Sequence, residues 1–353
     1  MPAKTLEIPG GKLSGEQLMQ LALDASLQGI RGANPLVGAV LANSRGEVLH
    51  VGWHRGAGSP HAEADALAQA RASGTDLRGT HMYVSLEPCN HTARTGPCSR
   101  AVADAGVSYL HFAIGDETED AAGGAAYLRS RGVTVESGLL KDRAEKINRR
   151  WFAAAEAKRP WVTAKIASTL DGFIAAEDGS SQWITGTQAR ADGHELRQRA
   201  DAILVGTQTA VTDNPRLSAR DSAGRESGNQ PLRVIMGERD LPEDLAVFRD
   251  SKVLQVRSRR PRVVLNELYS RGVRHLMVEG GPTVVSAFLR ENLVDELLWY
   301  QAPKVLGAGR RGVGDLGIST LSEAGQWEID QLGMQPGLIQ LGEDLRLHLA
   351  PRN

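Results

Sequence analysis

The two cysteines are the residues whose type and spacing most clearly imply chemistry. Cys89 and Cys98 are the only cysteines among the 353 residues, and the triplet His61-Ala62-Glu63 precedes them. One imidazole and two thiolates are a typical ligand set for a zinc ion whose fourth coordination position stays open for water. Such an ion lowers the pKa of that water toward neutrality. We therefore predict a catalytic zinc bound by His61, Cys89 and Cys98.

The order of these residues is typical of zinc deaminases that act on nucleobases, in which a His-x-Glu triplet precedes a Pro-Cys-x-x-Cys pair. Here Pro88 precedes Cys89, but the second cysteine follows after a longer loop. The pattern indicates hydrolytic removal of an amino group, with Glu63 as the proton shuttle. Two alternatives remain open, namely a closed structural zinc with His54 or His91 as the fourth ligand, and a disulfide between the cysteines.

Helix starts are predicted at both parts of this site. Ser59 and Pro60 have the residue types of an N-cap and a first helical position, and an alanine-rich segment follows them. Gly96 and Pro97 likewise place Cys98 at the start of a second helix. Because the N-terminal end of a helix favours negative charge, we expect this position to stabilise the thiolate form of Cys98.

Composition limits the possible partners and compartments. The chain carries 41 basic and 42 acidic residues, for a formal net charge of −1, so no overall field would attract nucleic acid. The first residues lack the apolar core of a signal peptide, and no run approaches the ~20 apolar residues of a membrane span. Two cysteines fit a reducing compartment. We expect a soluble, cytoplasmic protein with neither a nucleic-acid nor a membrane partner.

Helix and strand patterns alternate in two successive halves, which predicts two α/β domains. In the first half, strands at 37–41, 48–51, 82–86, 109–114 and 133–136 alternate with helices at 17–25, 62–72, 99–105 and 125–130. In the second, strands at 162–167, 200–205, 232–236, 253–256, 275–279 and 297–302 surround helices at 188–199 and 282–290. The basic segment 141–159 between the halves is interpreted as a solvated helix and connector, with a nucleic-acid contact as the alternative.

The second half contains a candidate phosphate-binding turn. An apolar strand at 275–279 runs into Gly280 and Gly281, and a helix begins near Pro282. Free backbone N–H groups at a helix start can bind phosphate, and glycines allow close approach, although a tight turn without a ligand is the alternative. The glycines of 307–312 have dinucleotide-binding spacing but no following helix, so we interpret them as a flexible loop.

Taken together, these motifs resemble the bifunctional deaminase–reductase family of riboflavin biosynthesis over nearly the whole chain. The matching segments occur in the same order at 34–38, 61–63, 86–98, 168–172, 181–186, 201–206, 213–217, 279–283 and 302–303. The resemblance implies an α/β protein with an N-terminal three-layer cytidine-deaminase-like domain over 1–146. It also implies a connector over 147–160 and a C-terminal dihydrofolate-reductase-like α/β domain over 161–353.

The resemblance also implies two successive reactions on a small phosphorylated pyrimidine. The first domain would use Zn²⁺ to hydrolyse the 2-amino group of 2,5-diamino-6-(5-phosphoribosylamino)pyrimidin-4-one, and the second would use NADPH to reduce the ribosyl group to ribityl. A homo-oligomer, either a dimer or a tetramer, is implied as well. Two other functions remain open, namely an active deaminase with a structural second domain, and a deaminase of nucleosides or nucleic acids.

Residue by residue, the resemblance implies zinc ligation by His61, Cys89 and Cys98, with Glu63 as the proton donor. The deaminase substrate would contact Asn34, His54, His91 and Arg94. The reductase substrate would contact Ser181, Arg197, Leu217, Arg220 and Glu279. NADPH would contact Ala167, Trp183, Thr209, Asp213, Gly281, Pro282, Thr283, Val284, Val285, Ser286 and Ala287. Guanidinium groups pair well with phosphate, which suits Arg94, Arg197 and Arg220, and Trp183 could cover a planar ring.

The chain departs from the family pattern in two places. An acidic loop at 115–120 replaces the usual loop after the strand at 109–114. Between 231 and 264 the match fades, and Gly237-Glu238 follow a strand where the family commonly has aspartate. The residues alone therefore assign neither the adenosine-side contacts of the cofactor nor its 2′-phosphate contact.

Overall fold

A computed structural model describes residues 6–91, 96–116, 123–221, 223–249, 253–331, 333 and 336–352. The chain forms two compact units, residues 3–149 and residues 150–353. Helix α5 (Lys141–Ala157) runs across this division. Within the described ranges, no helix combines the length and the apolar character that crossing a membrane requires.

The first unit is a five-stranded sheet with helices packed on it. Its strands are β1 (Gly38–Ala42), β2 (Val48–Trp53), β3 (His81–Leu86), β4 (Tyr109–Ile114) and β5 (Thr134–Ser137). Its other helices are α1 (Gly15–Ser26), α2 (Ala62–Ser73), α3 (Cys98–Asp104) and α4 (Gly124–Ser130). The strand order is β2-β1-β3-β4-β5, with β1 antiparallel to both neighbours and the last three strands parallel. The predicted α/β alternation of the first half is confirmed.

A close contact between β2 and α2 sets the position of the histidine–glutamate triplet. A Cβ atom on Gly52 would lie 2.4 Å from the carbonyl oxygen of Ala62 and 2.6 Å from the backbone nitrogen of Ala66. Only glycine therefore lets β2 approach the first turn of α2 so closely. The buried side chains of Leu41, Met82 and related residues form the core beneath this contact.

The second unit contains a larger sheet with helices on it and a separate two-stranded sheet of β7 and β13. Its strands are β6 (Trp161–Thr169), β7 (Phe173–Ala175), β8 (Ala202–Gly206), β9 (Leu232–Met236), β10 (Val253–Val256), β11 (His275–Val278), β12 (Glu296–Ala302), β13 (Arg310–Arg311), β14 (Trp327–Ile329), β15 (Leu338–Leu341) and β16 (Asp344–Pro351). Its helices are α6 (Thr187–Arg199), α7 (Thr207–Thr212), α8 (Pro261–Ser270) and α9 (Pro282–Arg290).

The main sheet has the order β10-β9-β8-β11-β6-β12-β16-β14, and β15 also pairs with β16. Strands β10 through β12 in this order are parallel, whereas β16 is antiparallel to β12. The carboxyl ends of the parallel strands therefore share one edge, where ligands bind in open α/β sheets. The strands β14, β15 and β16 complete the chain; along β16 buried side chains largely alternate with more exposed ones, as on a half-covered strand.

Candidate active sites

Three ligand-type side chains converge in the first unit. His61 is the N-cap residue of α2, Cys98 begins α3, and Cys89 lies between β3 and α3. The Nδ1 atom of His61 lies 3.6 Å from Sγ of Cys89 and 3.4 Å from Sγ of Cys98. Both cysteines are free, so the disulfide alternative is wrong.

The spacing of these atoms fits a single zinc ion. Zinc bonds of about 2.0–2.1 Å to nitrogen and about 2.3 Å to sulfur, at a tetrahedral angle, separate the two ligand atoms by about 3.6 Å. His61, Cys89 and Cys98 hold their three ligand atoms within 4.8 Å of one another, close to this requirement. The donor set thus fits the metal that the sequence pattern predicts.

The thiols of Cys89 and Cys98 interact directly. A hydrogen bond from the Cys98 thiol lowers the pKa of Cys89, and the same bond raises the pKa of Cys98. Moreover, the backbone N–H of Cys98 points at the other sulfur, with 3.5 Å between N and Sγ of Cys89. The start of α3 therefore favours the thiolate form of Cys89, because the backbone N–H of Cys98 points at the Cys89 sulfur.

Glu63 lies one residue inside α2 and is 3% exposed. Burial raises the pKa of its carboxyl to about 7. A pKa near neutrality suits a group that must both accept and donate a proton.

His54 and Asn34 form a fixed pair beside the zinc ligands. The Nδ1 atom of His54 lies 3.0 Å from the carbonyl oxygen of Pro60, so this nitrogen is the donor. Its Nε2 atom then accepts a hydrogen bond from Nδ2 of Asn34 at 3.0 Å. Burial lowers the pKa of His54, which favours this neutral form. The amide of Asn34 is consequently oriented, with its NH₂ group toward His54.

Ser59 does not cap α2, contrary to our prediction from its residue type. The helix begins at Ala62, and no side chain caps it. The Oγ atom of Ser59 instead donates to the carbonyl oxygen of Gly56 at 2.7 Å and accepts from the backbone N–H of Arg55 at 3.1 Å. A local turn therefore uses the hydroxyl group, and the first turn of α2 is left for the catalytic triplet.

The remaining residues predicted for the deaminase substrate are less well defined. The Nδ1 atom of His91 is buried and has no hydrogen-bond partner among the described residues. Arg94 lies outside the described residues, as does most of the acidic loop at 115–120.

The second unit brings two predicted substrate residues into a buried ion pair. Glu279 follows β11, and Arg197 of α6 donates to its two oxygens at 2.7 and 2.8 Å. The Nζ atom of Lys165, on β6, lies 3.7 Å from Oε2 of Glu279. Burial disfavours the Glu279 carboxylate, but the charges of Arg197 and Lys165 outweigh it and lower its pKa to about 2.

Lys165 was not among the residues that the sequence motifs identified. Its signal was a lysine inside an otherwise apolar run, because burying an ammonium group is costly without a purpose. The 3.7 Å between Nζ of Lys165 and Oε2 of Glu279 is too long for a hydrogen bond, and the ammonium forms none with the part of the chain that is described. Its N–H groups are available for a ligand.

Two further predicted residues flank Ser218, which Arg197 contacts. Leu217 is buried, and the carbonyl oxygen of the next residue, Ser218, accepts a hydrogen bond from Nη1 of Arg197 at 3.1 Å. The Nε atom of Arg220 lies 3.5 Å from Oγ of Ser218. Three N–H groups of Arg197 thus have protein partners, whereas among the described residues the guanidinium of Arg220 makes this one long side-chain contact, so Arg220 is the better candidate for a phosphate.

The predicted cofactor turn lies at the carboxyl ends of β8 and β11. Oγ1 of Thr209 accepts a hydrogen bond from the N–H of Gly281 at 3.3 Å. The helix α9 begins at Pro282, and its N-cap residue Gly281 has no side-chain cap. A Cβ atom on Gly280 would lie 2.7 Å from Cβ of Val284, so the chain passes tightly there. Pro282 has no N–H group, and the N–H groups of Gly281, Val284 and Val285 already have acceptors, so the Thr283 N–H and the helix dipole are what this turn offers a phosphate of the cofactor.

Most of the other residues predicted for the reductase are more exposed than the ion pair of Arg197 and Glu279. Trp183 is 62% exposed, and the guanidinium carbon of Arg190 lies 4.4 Å from its ring centroid. Ser181 is exposed on the same loop, and Asp213 ends α7. Ala167 lies half-buried on β6, beside Tyr300 of β12. In the described part of the chain, the side chains of these predicted residues form no hydrogen bonds with one another.

A second group of ligand-type residues also occurs in this unit. Glu296, Asp330 and His348 are buried and hold their ligand atoms within 4.8 Å of one another. However, Arg150 already neutralises Glu296 through hydrogen bonds of 3.0 and 2.7 Å. A divalent cation would add uncompensated positive charge beside that guanidinium, so we assign no metal here.

Comparisons with known proteins agree with this division. Residues 13–114 match the family described as the cytidine and deoxycytidylate deaminase zinc-binding region, and residues 160–334 match the RibD C-terminal domain. The riboflavin biosynthesis protein RibD of Mycobacterium tuberculosis is 38% identical over 341 residues, which cover 96% of this chain and 97% of that protein. RibD of Escherichia coli K12 is 32% identical over 352 residues, or 90% and 93% of the two chains.

Solved structures show the same similarity. The diaminohydroxyphosphoribosylaminopyrimidine deaminase/5-amino-6-(5-phosphoribosylamino)uracil reductase of Thermotoga maritima has a TM-score of 0.83 at 30% identity, covering 96% of this chain and 98% of that one. RibD of Acinetobacter baumannii has a TM-score of 0.84 at 31% identity, with coverage of 96% and 99%. The chain therefore belongs to the RibD family of riboflavin biosynthesis and is a bifunctional enzyme, a zinc-dependent deaminase and an NADPH-dependent reductase.

Proposed function

We propose that this chain catalyses the two reactions named for its Thermotoga relative, in sequence. The first removes the 2-amino group of 2,5-diamino-6-(5-phosphoribosylamino)pyrimidin-4-one by hydrolysis, and the second reduces the ribosyl group of the product to ribityl. We assign residues 1–146 to the deaminase, 147–160 to the connector and 161–353 to the reductase. The observation that carries the deaminase assignment is the convergence of His61, Cys89 and Cys98 beside a buried Glu63.

In the deaminase, the side chains orient the pyrimidine and move the proton. When bound, zinc makes a water molecule acidic enough to attack the amino-bearing carbon at neutral pH. Glu63 accepts a proton from the attacking water at a carboxylate oxygen and delivers it to the amino nitrogen, which leaves as ammonia. Asn34, whose NH₂ group is bound to His54, presents its carbonyl oxygen to an N–H group of the pyrimidine. His91 and Arg94 complete the substrate contacts.

In the reductase, Lys165 and Glu279 flank the ribosyl group. NADPH, when bound, supplies the hydride that C1′ receives. The ammonium of Lys165 donates a proton to the ribosyl ring oxygen, which becomes a hydroxyl group as the ring opens. Arg197 holds Glu279 in place through its paired hydrogen bonds. The balance of the step is one hydride to carbon and one proton to oxygen.

Recognition of the phosphates is divided between the two ligands of the reductase. Arg220 binds the substrate phosphate, close to Leu217 and Ser181. The turn from Gly281 through Pro282, Thr283, Val284, Val285 and Ser286 to Ala287 lies against the cofactor phosphates, where the start of α9 favours negative charge. Ala167, Trp183, Thr209 and Asp213 surround the remainder of the cofactor. This placement is supported by their position at one edge of the parallel strands.

The order of the two reactions is testable with one substrate. The purified, zinc-loaded protein is incubated with the diaminopyrimidine phosphate under anaerobic conditions, with and without NADPH, and the products are weighed by mass spectrometry. Without NADPH we expect exchange of the amino group for oxygen and release of ammonia. With NADPH we expect a further gain of two hydrogens. A two-hydrogen gain that precedes loss of the amine would contradict the proposed order.

We further propose that the protein acts in the cytoplasm as a dimer or a tetramer. Cys89 and Cys98 are both free, which fits a reducing compartment. Val305 and Leu306 are adjacent, exposed apolar residues of the second unit that an interface between copies could cover. Light scattering on the purified protein measures the assembly.

A further inference from the structure

The ammonium group of Lys165 makes a long ion pair and a cation–π contact but no short hydrogen bond to the described residues. Its nearest carboxylate oxygen, Oε2 of Glu279, is 3.7 Å away and already accepts from Arg197. On another side, its Nζ atom lies 5.5 Å from the centroid of the Tyr300 ring. A cation within about 6 Å of an aromatic face is attracted by the negative potential of that face.

The Tyr300 ring is itself rigidly anchored. Tyr300 is 1% exposed on β12, and its hydroxyl donates to Oδ2 of Asp192 on α6 at 2.5 Å. Asp192 also accepts hydrogen bonds of 2.9 and 2.8 Å from Nη1 of Arg346, which is fully buried. Arg346 lies directly opposite Tyr300 in the pairing of β12 with β16. Three elements therefore fix the orientation of one ring.

The register of the sheet explains why this ring faces the lysine. On β6, Lys165 pairs with Leu298 of β12, and Ala167 pairs with Tyr300. Residues two apart on a strand share a face, so Lys165 and Tyr300 are diagonal neighbours on one side of the sheet. Because Ala167 is small, the aromatic ring has room to extend beside the lysine side chain.

We infer that Tyr300 is a positioning residue for the reductase, whose ring face holds the ammonium of Lys165 toward the ribosyl group. The pairing of β12 with β6 and the burial of Tyr300 keep the ring in that orientation, even without the hydroxyl bond. This inference rests on the proposed role of Lys165 in reduction. Tyr300 itself touches neither substrate nor cofactor in this account, so its effect passes entirely through the lysine.

Variants of Tyr300 separate the ring from its hydroxyl group. We expect Tyr300→Leu to lower kcat for reduction about ten-fold, since it removes a partly desolvated cation–π contact. The KM for NADPH and the rate of deamination should not change. Tyr300→Phe keeps the ring and should restore kcat to within about two-fold of the wild type. Cofactor binding, measured by fluorescence, verifies that each variant is folded; Tyr300→Met replaces the leucine variant if that one does not bind NADPH.

A double-mutant cycle tests whether the ring acts through the lysine. In a Lys165→Met background, Tyr300→Leu should cause no further loss of reduction. Tyr269→Leu is the matched control, because it removes another ring beneath a cation in the same unit, where Cζ of Arg274 lies 3.9 Å from the ring centroid. This control should reduce at the wild-type rate.

Three outcomes would count against the inference. Multiplicative losses in the double variant, or a wild-type rate in Tyr300→Leu, contradict the positioning role while leaving the role of Lys165 intact. Equal damage from Tyr300→Phe and Tyr300→Leu assigns the effect to the hydroxyl group and also overturns it. Full reduction by Lys165→Met alone instead contradicts the proposed function of the site, and with it the inference.

Discussion

Glu63→Gln should lower the rate of deamination about 10²- to 10⁴-fold, the range typical of a lost general acid–base group. Glutamine has nearly the same shape as glutamate but cannot carry the proton from the attacking water to the departing amine. Because the side chain is only 3% exposed, a neutral replacement also avoids placing a charge in a buried position. Zinc content, measured by mass spectrometry of the metal, should remain one equivalent per chain, because His61, Cys89 and Cys98 are unchanged.

Ammonia release and NADPH oxidation measured on the same preparation make this prediction specific. NADPH oxidation with the already deaminated pyrimidine should proceed at the wild-type rate. Asp65→Asn is the matched control, since it removes a carboxylate from the same helix whose partner is Arg55 at 2.7 Å and not the zinc site. Deamination by Glu63→Gln at the rate of this control would rule out the proton shuttle.

Lys165→Met should impair reduction and leave deamination intact, the reverse of the result expected for Glu63→Gln. We expect kcat for reduction to fall about 10²- to 10³-fold, the loss that follows removal of one preorganised donor from an active site. Methionine keeps most of the apolar length of lysine but donates no hydrogen bond and carries no charge. Deamination should not change, because Lys165 belongs to the second unit. Stopped-flow oxidation of NADPH measures the step directly.

A surface lysine of the same unit provides the control for charge. Lys158 is exposed and follows α5, and Lys158→Met should reduce at the wild-type rate. If Lys165→Met raises only the KM for the substrate and leaves kcat unchanged, the lysine binds the ground state and does not donate in the transition state. That result would contradict the proton transfer to the ring oxygen.

The sequence predicted the ligand set of the deaminase because the residue types leave few choices. The chain has only two cysteines, and a histidine–glutamate pair precedes them. The α/β architecture could likewise be predicted, since buried parallel strands read as short apolar runs and helices separate them. The predicted strand at 232–236, for example, coincides with β9.

Features that depend on tertiary contacts could not be predicted in this way. Ser59 has the residue type of an N-cap, but a nearby turn uses its hydroxyl group. Lys165 and Tyr300 belong to apolar strand patterns, and only the register of β6 with β12 brings them together. Arg197 was predicted to contact the reductase substrate, and only the fold shows that it also holds Glu279, 82 residues away in sequence. Local sequence patterns predict helices, strands and candidate ligands, whereas the pairing of strands across the sheet determines which side chains meet.

The dependence of each activity on zinc tests the central claim most directly. The metal is removed with a chelator, and ammonia release and NADPH-dependent reduction of the deaminated pyrimidine are measured before and after one equivalent of zinc is restored. The account predicts that the metal-free protein releases no ammonia, that deamination returns with the first equivalent, and that reduction is the same throughout. Ammonia release at the full rate by metal-free protein would contradict it.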